Sequence, residues 1–194
     1  MSSSAGAEHR LVAGRFTELV RSADPVAWDH PTPVAAWRAR DVVGHLVTWL
    51  PEFLAAGSDV RLPPGPSVED DPVAAWQAHV DGVQAVLDDP ATPARLLQNR
   101  HVGELPVDVA IDRFYTGDVF LHTWDLARAT GQDPALDPDR CAAMLAGMEP
   151  LDGMLRESGQ YGPRVPVPDD ADVQTRLVAF IGRDPWWTPA PAAP

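Results

Sequence analysis

The residues with the clearest chemical potential are a carboxylate and an imidazole one helical turn apart. Asp118 and His122 lie in a segment whose other inward-facing residues are apolar or aromatic, among them Ile111, Tyr115 and Leu126. Residues spaced by four share one face of a helix, so both side chains are expected to point inward. A buried carboxylate without a compensating cation would cost several kcal/mol. The pattern therefore indicates that a positive charge lies beside Asp118.

A third candidate ligand, His45, lies on an earlier predicted helix beside Leu46 and Trp49, close to the core-facing side. Metal sites in helical bundles are assembled from side chains of facing helices. Two imidazoles and one carboxylate suit a borderline divalent ion, with Zn first and Ni or Fe(II) as alternatives. Three protein ligands also leave coordination positions open, as in catalytic sites. His45, Asp118 and His122 are thus predicted to bind one divalent metal ion.

Other interpretations of these residues stay open at the level of spacing alone. A histidine on an apolar helix face is often a hydrogen-bonded core residue, and Asp118 could pair with Arg113 or Arg128. An Asp-x-x-x-His spacing also arises by chance. Spacing therefore does not by itself separate a metal site from a buried ion pair.

Further polar and aromatic residues are candidates for the surroundings of the site: Asp125, Trp49, His79 and Glu52. Asp125 could accept a hydrogen bond from an imidazole N–H and orient the ring, or could be a solvated helix carboxylate. Glu52 could face the same cavity as His45. Trp49 is expected to form a core or pocket wall, and His79 to pack or line the pocket rather than bind metal.

The remaining histidines and the single cysteine carry no comparable signal. His9, His30 and His101 have no partner at ligand spacing and are expected at the surface. Cys141 can form no intramolecular disulfide and is expected to be a small core residue rather than a nucleophile.

The charge balance excludes some classes of partner. The 194 residues carry a formal net charge of -13, and all 15 basic residues are Arg. Such a chain repels a phosphate backbone, so nucleic-acid binding is not expected. No run approaches the ~20 apolar residues that span a bilayer, and residues 1–16 lack the apolar stretch of a secretory signal. We expect a cytoplasmic protein without membrane attachment.

Helical periodicity and capping signals predict the elements that position the candidate site. Apolar residues recur at helical spacing over 8–22, 40–56, 72–88, 107–130, 138–158 and 171–182. Aspartate followed by proline marks two helix starts, at Asp71 and Asp137, and Gly131 marks a helix end. Residues 89–106 show no strand alternation and are predicted to form a long crossover with one short helical turn at 95–98.

These elements predict an all-α protein with one domain. Short capped joints between helices favour an up-down bundle with additional C-terminal helices. We expect residues 1–160 to form the bundle with the metal site. Residues 161–194 would add a C-terminal helix and an extended Pro-rich tail to the same domain.

Two stretches of sequence resemble a known family. PTPVAAWRARDVVGHLVTW, residues 31–49, and TGDVFLHTWDLARATG, residues 116–131, resemble the DinB-like metal-binding superfamily. Within it they are similar to the actinobacterial branch named after the N-terminal domain of mycothiol-dependent maleylpyruvate isomerase, as is FIGRDPWW at 180–187. The resemblance covers most of the chain. It implies a DinB-like up-down four-helix bundle with a divalent metal bound by His45, Asp118 and His122.

The chain departs from the isomerase in three respects. Asp118 stands where the isomerase has the longer Glu, and Arg38 stands where the family usually has a Thr cap. The isomerase also has a separate C-terminal domain that contributes to catalysis, and residues 160–194 are too short to be that whole domain. Because of these departures, the resemblance supports the metal site more strongly than it supports maleylpyruvate isomerase activity.

The resemblance implies a thiol-dependent transferase or isomerase, in which a mycothiol-like low-molecular-weight thiol is the cosubstrate and a small electrophilic molecule is the substrate. It also implies a homodimer. Two alternatives remain: a metal-dependent hydrolase with Glu52 or Asp125 as general base, and a non-enzymatic metal- or small-molecule-binding stress protein. An open coordination position would favour an enzyme.

Overall fold

The computed structural model describes residues 4–189 and is mostly helical. Its α-helices are α1 (Ala5–Ser22), α2 (Ala39–Gly57), α3 (Pro72–Asp88), α4 (Val107–Ala110), α5 (Gly117–Thr130), α6 (Pro138–Met148), α7 (Asp152–Glu157) and α8 (Val173–Phe180). A π-helical segment, Ile111–Thr116, joins α4 to α5, and short 3₁₀ turns occupy Pro25–Asp29, Thr92–Ala94 and Glu149–Leu151. The end of the predicted Pro-rich tail, residues 190–194, lies outside the described residues.

The predicted helix boundaries at aspartate and glycine are confirmed. The Asp71 carboxylate accepts a hydrogen bond from the Ala74 N–H at 2.9 Å, and Asp137 caps α6 through the Arg140 N–H at 2.7 Å. Gly131 ends α5 with a φ of 70°, a left-handed conformation that glycine adopts without strain.

Helix α2 begins after its N-cap residue Arg38, without a threonine cap. The Arg38 backbone N–H instead donates to Asp41 Oδ2 at 2.7 Å, so a side chain of the first turn satisfies the start of the helix. The Arg38 guanidinium also pairs with Asp41 and Glu69, at 3.1 and 3.0 Å. These contacts fix the beginning of the helix that carries His45.

The prediction that residues 89–106 contain no strand was wrong. β1 (Leu96–Asn99) and β2 (Gly103–Pro106) form an antiparallel hairpin, with Leu97 opposite Leu105. The helical turn lies at Thr92–Ala94 rather than at 95–98. Each strand is too short for alternation to be recognised, and the hairpin is held by the buried Leu97 side chain. The fold is therefore mostly helical, consistent with the predicted all-α class, with one small two-stranded sheet added.

The predicted fifth helix, 138–158, is broken. A 3₁₀ turn containing Pro150 separates α6 from α7, because proline lacks the N–H that continues a helix and clashes with the preceding turn. The last predicted helix, 171–182, is shorter than expected and spans Val173–Phe180.

The core lies between the long helices. Helices α1 and α2 each pack against both α3 and α5, and α6 packs against α8. At the α1–α3 contact the ring centroids of Phe16 and Trp76 are 4.5 Å apart, and Trp76 Nε1–H donates to Thr17 Oγ1 at 2.8 Å. Burying side chains of this size contributes about 1.5–3 kcal/mol each. Contact with α1 and α2 makes α5 a central helix, which explains why most of its residues are buried.

The part of the chain that the structure describes contains no candidate membrane-spanning helix. No helix within residues 4–189 combines the length and the apolar character that crossing a bilayer requires.

Candidate metal centre

The packing of α2 against α5 brings the three predicted ligands together. One donor atom each from His45, Asp118 and His122 lies within 4.8 Å of the others. His45 Nε2 is 3.0 Å from Asp118 Oδ2, and His122 Nε2 is 3.6 Å from Asp118 Oδ1. The two imidazole ring centroids are 5.0 Å apart. The carboxylate therefore lies between the two imidazoles, with one oxygen toward each.

The local sequence explains how α5 presents its two ligands. Asp118 and His122 lie one turn apart on the same face, with side chains 23% and 5% exposed. The π-helical segment Ile111–Thr116 ends two residues before Asp118. A π-helical turn holds more residues than an α-helical turn, which rotates the following side chains, and such segments are common at functional sites.

The Asp118 carboxylate and the neighbouring imidazoles interact electrostatically. Burial alone would raise the pKa of Asp118. The charge of His122 and the hydrogen bonds from His45 and Trp49 outweigh it and hold that pKa below its usual value. Burial would likewise lower the pKa of His122, but the carboxylates of Asp118 and Asp125 raise it instead. The cluster thus stabilises an anionic Asp118 and attracts positive charge.

Asp125 lies where a carboxylate can orient a metal-binding imidazole. The Nδ1–H of His122 donates to Asp125 Oδ2 at 2.9 Å, and the Asp125 side chain is fully buried. This bond directs His122 Nε2 toward Asp118. Arg183 contacts both Asp125 oxygens, at 3.3 and 3.2 Å, and so balances the buried charge.

Aromatic side chains form the walls around the cluster. Trp37 stacks on His122 and lies tilted against His45, with ring centroids 5.7 and 5.1 Å apart. Trp49 donates its indole N–H to Asp118 Oδ2 at 2.9 Å and packs against Tyr115 on its other side. Trp49 therefore does more than line the pocket, because it holds one oxygen of the central carboxylate.

An open cleft of about 430 Å³ reaches the cluster from the α2 side. It is lined by Trp37, Asp41, Gly44, His45, Thr48, Trp49 and Glu52. Glu52 thus shares a cleft with His45, and its side chain is exposed. His45 is the candidate ligand that borders this cleft directly.

The three side chains could hold a divalent metal ion. In a tetrahedral zinc site, bond lengths of about 2.0–2.1 Å put neighbouring ligand atoms about 3.3 Å apart. The 3.0 and 3.6 Å separations, each from an imidazole nitrogen to a different Asp118 oxygen, lie near that value, and with one donor atom taken from each residue all three lie within 4.8 Å of one another. Among residues 4–189 Asp118 has no ion pair with arginine: Arg113 lies over Phe114 and Arg128 over Trp124. The alternative that the sequence left open, an ion pair between Asp118 and Arg113 or Arg128, is therefore wrong.

Two further histidines belong to the core beside the cluster. The expectation that His9 lies at the surface was wrong: it is fully buried, its Nδ1–H donates to Gln84 Oε1 at 2.9 Å, and its ring stacks on Tyr115. His79 is also buried, and its Nε2 is hydrogen-bonded to the Tyr115 hydroxyl at 2.8 Å. Tyr115 in turn contacts Trp49. These residues pack behind the site, and the candidate ligand group found among residues 4–189 does not include them.

Burial of His79 predicts a pH-dependent stability. Burial, assisted by the charge of His9, lowers the pKa of His79 to about 4 from the 6.5 that an unfolded chain shows. Between these values the unfolded chain binds a proton that the folded chain does not. The stabilisation is complete above about pH 6.5 and is lost as the pH falls toward 4, by about 3 kcal/mol in total.

Urea unfolding at pH 7 and pH 4 measures this difference. The His79→Gln variant, which keeps a hydrogen-bonding side chain, is expected to lose about 3 kcal/mol less stability between the two pH values than the wild type. The matched control is His101→Gln at an exposed histidine, which should follow the wild type. Parallel profiles for the wild type and His79→Gln would contradict the assignment.

Cys141 is a core residue, as predicted. Its side chain is fully buried, and burial raises the pKa of its thiol to about 11. A thiol in this state is protonated near neutral pH and is a poor nucleophile. The chain's single cysteine is therefore not a source of thiolate for chemistry at the cluster.

A second cleft, of about 460 Å³, lies between α7 and the segment that follows it, lined by Asp152, Arg156, Tyr161, Pro163 and Arg164. The two arginine side chains of this cleft are already paired. Asp152 pairs with both arginines, and the Arg156 guanidinium also donates to the carbonyls of Gly162 and Phe180. Arg156 thus ties the segment after α7 to the end of α8.

Sequence reasoning missed two residues of the site. Trp37 stacks on His122 and lies tilted against His45, and its only signal was its position in the stretch that resembles DinB-like proteins. Arg183 contacts Asp125 from a distant part of the chain. No local spacing relates it to α5, although it lies within the FIGRDPWW stretch at 180–187.

Comparison with known proteins relates most of the chain to a mycobacterial protein. An uncharacterized protein of Mycobacterium tuberculosis, Rv0738 in strain H37Rv and MT0763 in strain CDC 1551, is 30% identical over 178 residues. The match covers 90% of this chain and 95% of the relative. The chain belongs to the Rv0738 family. No family model and no solved structure matches it. Because nearly all of both chains is aligned, the relationship extends well beyond one shared motif.

Proposed function

We propose that the protein binds one divalent metal ion through His45, Asp118 and His122 and uses it in a thiol-dependent transferase or isomerase reaction on a small electrophilic substrate. The observation that carries this proposal is the convergence of three donor atoms from two helices, within 4.8 Å of one another, beside an open cleft. Two imidazoles and a carboxylate suit Zn best, with Ni or Fe(II) as alternatives.

The surrounding residues prepare the three ligands for a cation. Asp125 accepts the Nδ1–H of His122, which leaves Nε2 free to bind the ion as a neutral ligand. Trp49 holds Asp118 Oδ2 at 2.9 Å and limits the rotation of the carboxylate. Trp37 packs against both imidazole rings. The protein therefore pays little conformational entropy when the ion binds.

The thiol is proposed to come from a cosubstrate. A divalent ion lowers the pKa of a coordinated thiol and so supplies a nucleophile at neutral pH. Cys141 cannot take this role, because it is fully buried and its pKa is raised to about 11. A cleft of about 430 Å³ beside His45 lies within the size range of small-molecule sites. The resemblance of residues 31–49 and 116–131 to the mycothiol-dependent maleylpyruvate isomerase branch favours a mycothiol-like thiol as the cosubstrate.

The fold that we propose is a DinB-like up-down four-helix bundle. Its helices would be α1, α2, α3 and the helix that runs from α4 through the π-helical segment into α5. Support comes from the packing of α1 and α2 against both α3 and α5. In this arrangement α6, α7 and α8 are the additional C-terminal helices, and the metal site lies between the second and fourth helices of the bundle.

Metal-assisted hydrolysis is a second candidate function, favoured by one observation. Glu52 lines the same cleft as His45, so its carboxylate could act as a general base on a water molecule there. Its exposure and distance along α2 make this the weaker proposal. A hydrolase would not require a thiol, and the binding experiment below therefore separates the two functions.

Calorimetric titration with a thiol tests the proposal. We expect zinc-loaded protein to bind mycothiol at one site per chain, with no binding of the analogue that carries a hydroxyl in place of the thiol. Metal-free protein should bind neither compound, because the thiolate has no cation to bind. Absence of thiol binding by zinc-loaded protein would contradict the thiol-dependent function and leave hydrolysis or non-enzymatic metal binding.

A further inference from the structure

Arg183 approaches the candidate metal site from the C-terminal end of the fold. Helix α8 ends at Phe180, and Gly182 follows with a φ of 85°, where a Cβ atom would collide with the backbone of Gly162. This left-handed glycine turns the chain so that the next residue reaches back to α5. The Arg183 backbone N–H donates to the Val178 carbonyl at 3.1 Å, which fixes the start of its side chain.

The guanidinium of Arg183 engages Asp125 with two nitrogens. Nε lies 3.3 Å from Oδ1 and Nη2 lies 3.2 Å from Oδ2, so both carboxylate oxygens are held at once. The Asp125 side chain is fully buried and that of Arg183 is 14% exposed. Two-point contacts of this kind fix the plane of a carboxylate, which a single point charge does not do.

The plane of Asp125 matters because its Oδ2 also accepts the Nδ1–H of His122 at 2.9 Å. Rotation of the carboxylate would remove the acceptor that keeps this proton on Nδ1 and would allow the imidazole to turn. Partners that orient a metal-binding imidazole typically change metal affinity by about 10–100-fold when they are removed.

We propose that Arg183 is a positioning residue for the metal site: through Asp125 it fixes the orientation of His122 and thereby sets the affinity for the ion. The C-terminal segment after α8 is thus part of the site, although it contributes no ligand. This inference rests on the proposed metal binding by His45, Asp118 and His122.

Metal affinity, measured by competition with a chelator, tests the proposal in four variants. Arg183→Gln and Asp125→Asn are each expected to weaken zinc binding by about 10–100-fold. The double variant is expected to lose little more than either single variant, because both changes disrupt the same chain of contacts. Arg183→Lys keeps the charge but not the two-point contact and should show a smaller loss, of about threefold or more.

Arg128→Gln is the matched control. Arg128 ties α5 to the same C-terminal segment through a 2.9 Å hydrogen bond to the Pro185 carbonyl, whereas the side-chain hydrogen bonds of Asp125 go to His122 and Arg183. Loosening the segment alone should leave zinc affinity within about twofold of the wild type. The visible absorption spectrum of the cobalt-loaded protein should change in Arg183→Gln and stay unchanged in Arg128→Gln.

Three results would overturn the proposal: wild-type affinity in Arg183→Gln, an equal loss in Arg128→Gln, or losses that multiply in the double variant. If Arg183→Gln does not fold, the comparison of Arg183→Lys with Asp125→Asn carries the same test, and wild-type affinity in Arg183→Lys overturns it. A wild-type protein that binds no zinc would instead contradict the proposed metal site itself.

Discussion

Replacement of His122 with alanine is expected to abolish metal retention and to leave the helices in place. In the proposed site, His122 supplies one of the three donor atoms found among residues 4–189, and its loss leaves His45 and Asp118 as the remaining candidate ligands. Removal of a ligand should cost more than removal of a residue that merely orients one, which typically costs about 10–100-fold in affinity. We therefore expect a loss of more than about a hundredfold. The fold should survive, because the core between α1, α2, α3 and α5 is extensive.

The ratio of metal to protein after zinc loading and desalting measures this effect, and far-ultraviolet circular dichroism reports on the helices. His101→Ala is the matched control, since it removes an exposed histidine outside the site. This control should retain one ion per chain. Stoichiometric zinc in His122→Ala would show that the ligands have been assigned wrongly.

Zinc loading is expected to raise the thermal stability of the wild type by a large amount. A ligand that binds only the folded state adds about 4 kcal/mol to the free energy of unfolding at a concentration of a thousand times its Kd. For a chain of this size that corresponds to an increase in Tm of roughly 8–16 °C. The physical reason is local: the ion neutralises the carboxylate of Asp118, which the fold holds between two imidazoles.

Thermal unfolding with and without zinc tests this expectation, and a chelator should reverse the increase. Asp118→Asn is the informative variant, because it keeps the shape of the side chain and its oxygen while removing the negative charge. Its Tm should respond only weakly to zinc. An unchanged wild-type Tm at saturating zinc, or an equal increase in Asp118→Asn, would contradict the role assigned to the carboxylate.

Most of the helices could be predicted because their signals are local. Asp71 and Asp137 cap α3 and α6 from the position before a proline, and Gly131 ends α5 in a left-handed conformation. Asp118 and His122 share a helix face by spacing alone. The approach of His45 to this pair depends on how α2 packs against α5, and it was expected because metal sites in bundles join facing helices.

The features that were missed depend on contacts between distant residues. The β1–β2 hairpin packs against the end of α2, where a Cβ atom on Gly57 would collide with the Gln98 carbonyl. Burial of His9 depends on Gln84, which lies on α3. The contact between Arg183 and Asp125 joins residues 58 positions apart. Short-range periodicity contains no information about such pairs, since side-chain spacing within one element does not specify its neighbours.

Anomalous diffraction at the zinc edge from crystals of the zinc-loaded protein tests the metal site most directly. We predict one peak per chain, about 2.0–2.2 Å from one nitrogen of His45, one nitrogen of His122 and a carboxylate oxygen of Asp118. A zinc-loaded crystal with no peak between these three side chains, or with its peak bound by other residues, would contradict the proposed function.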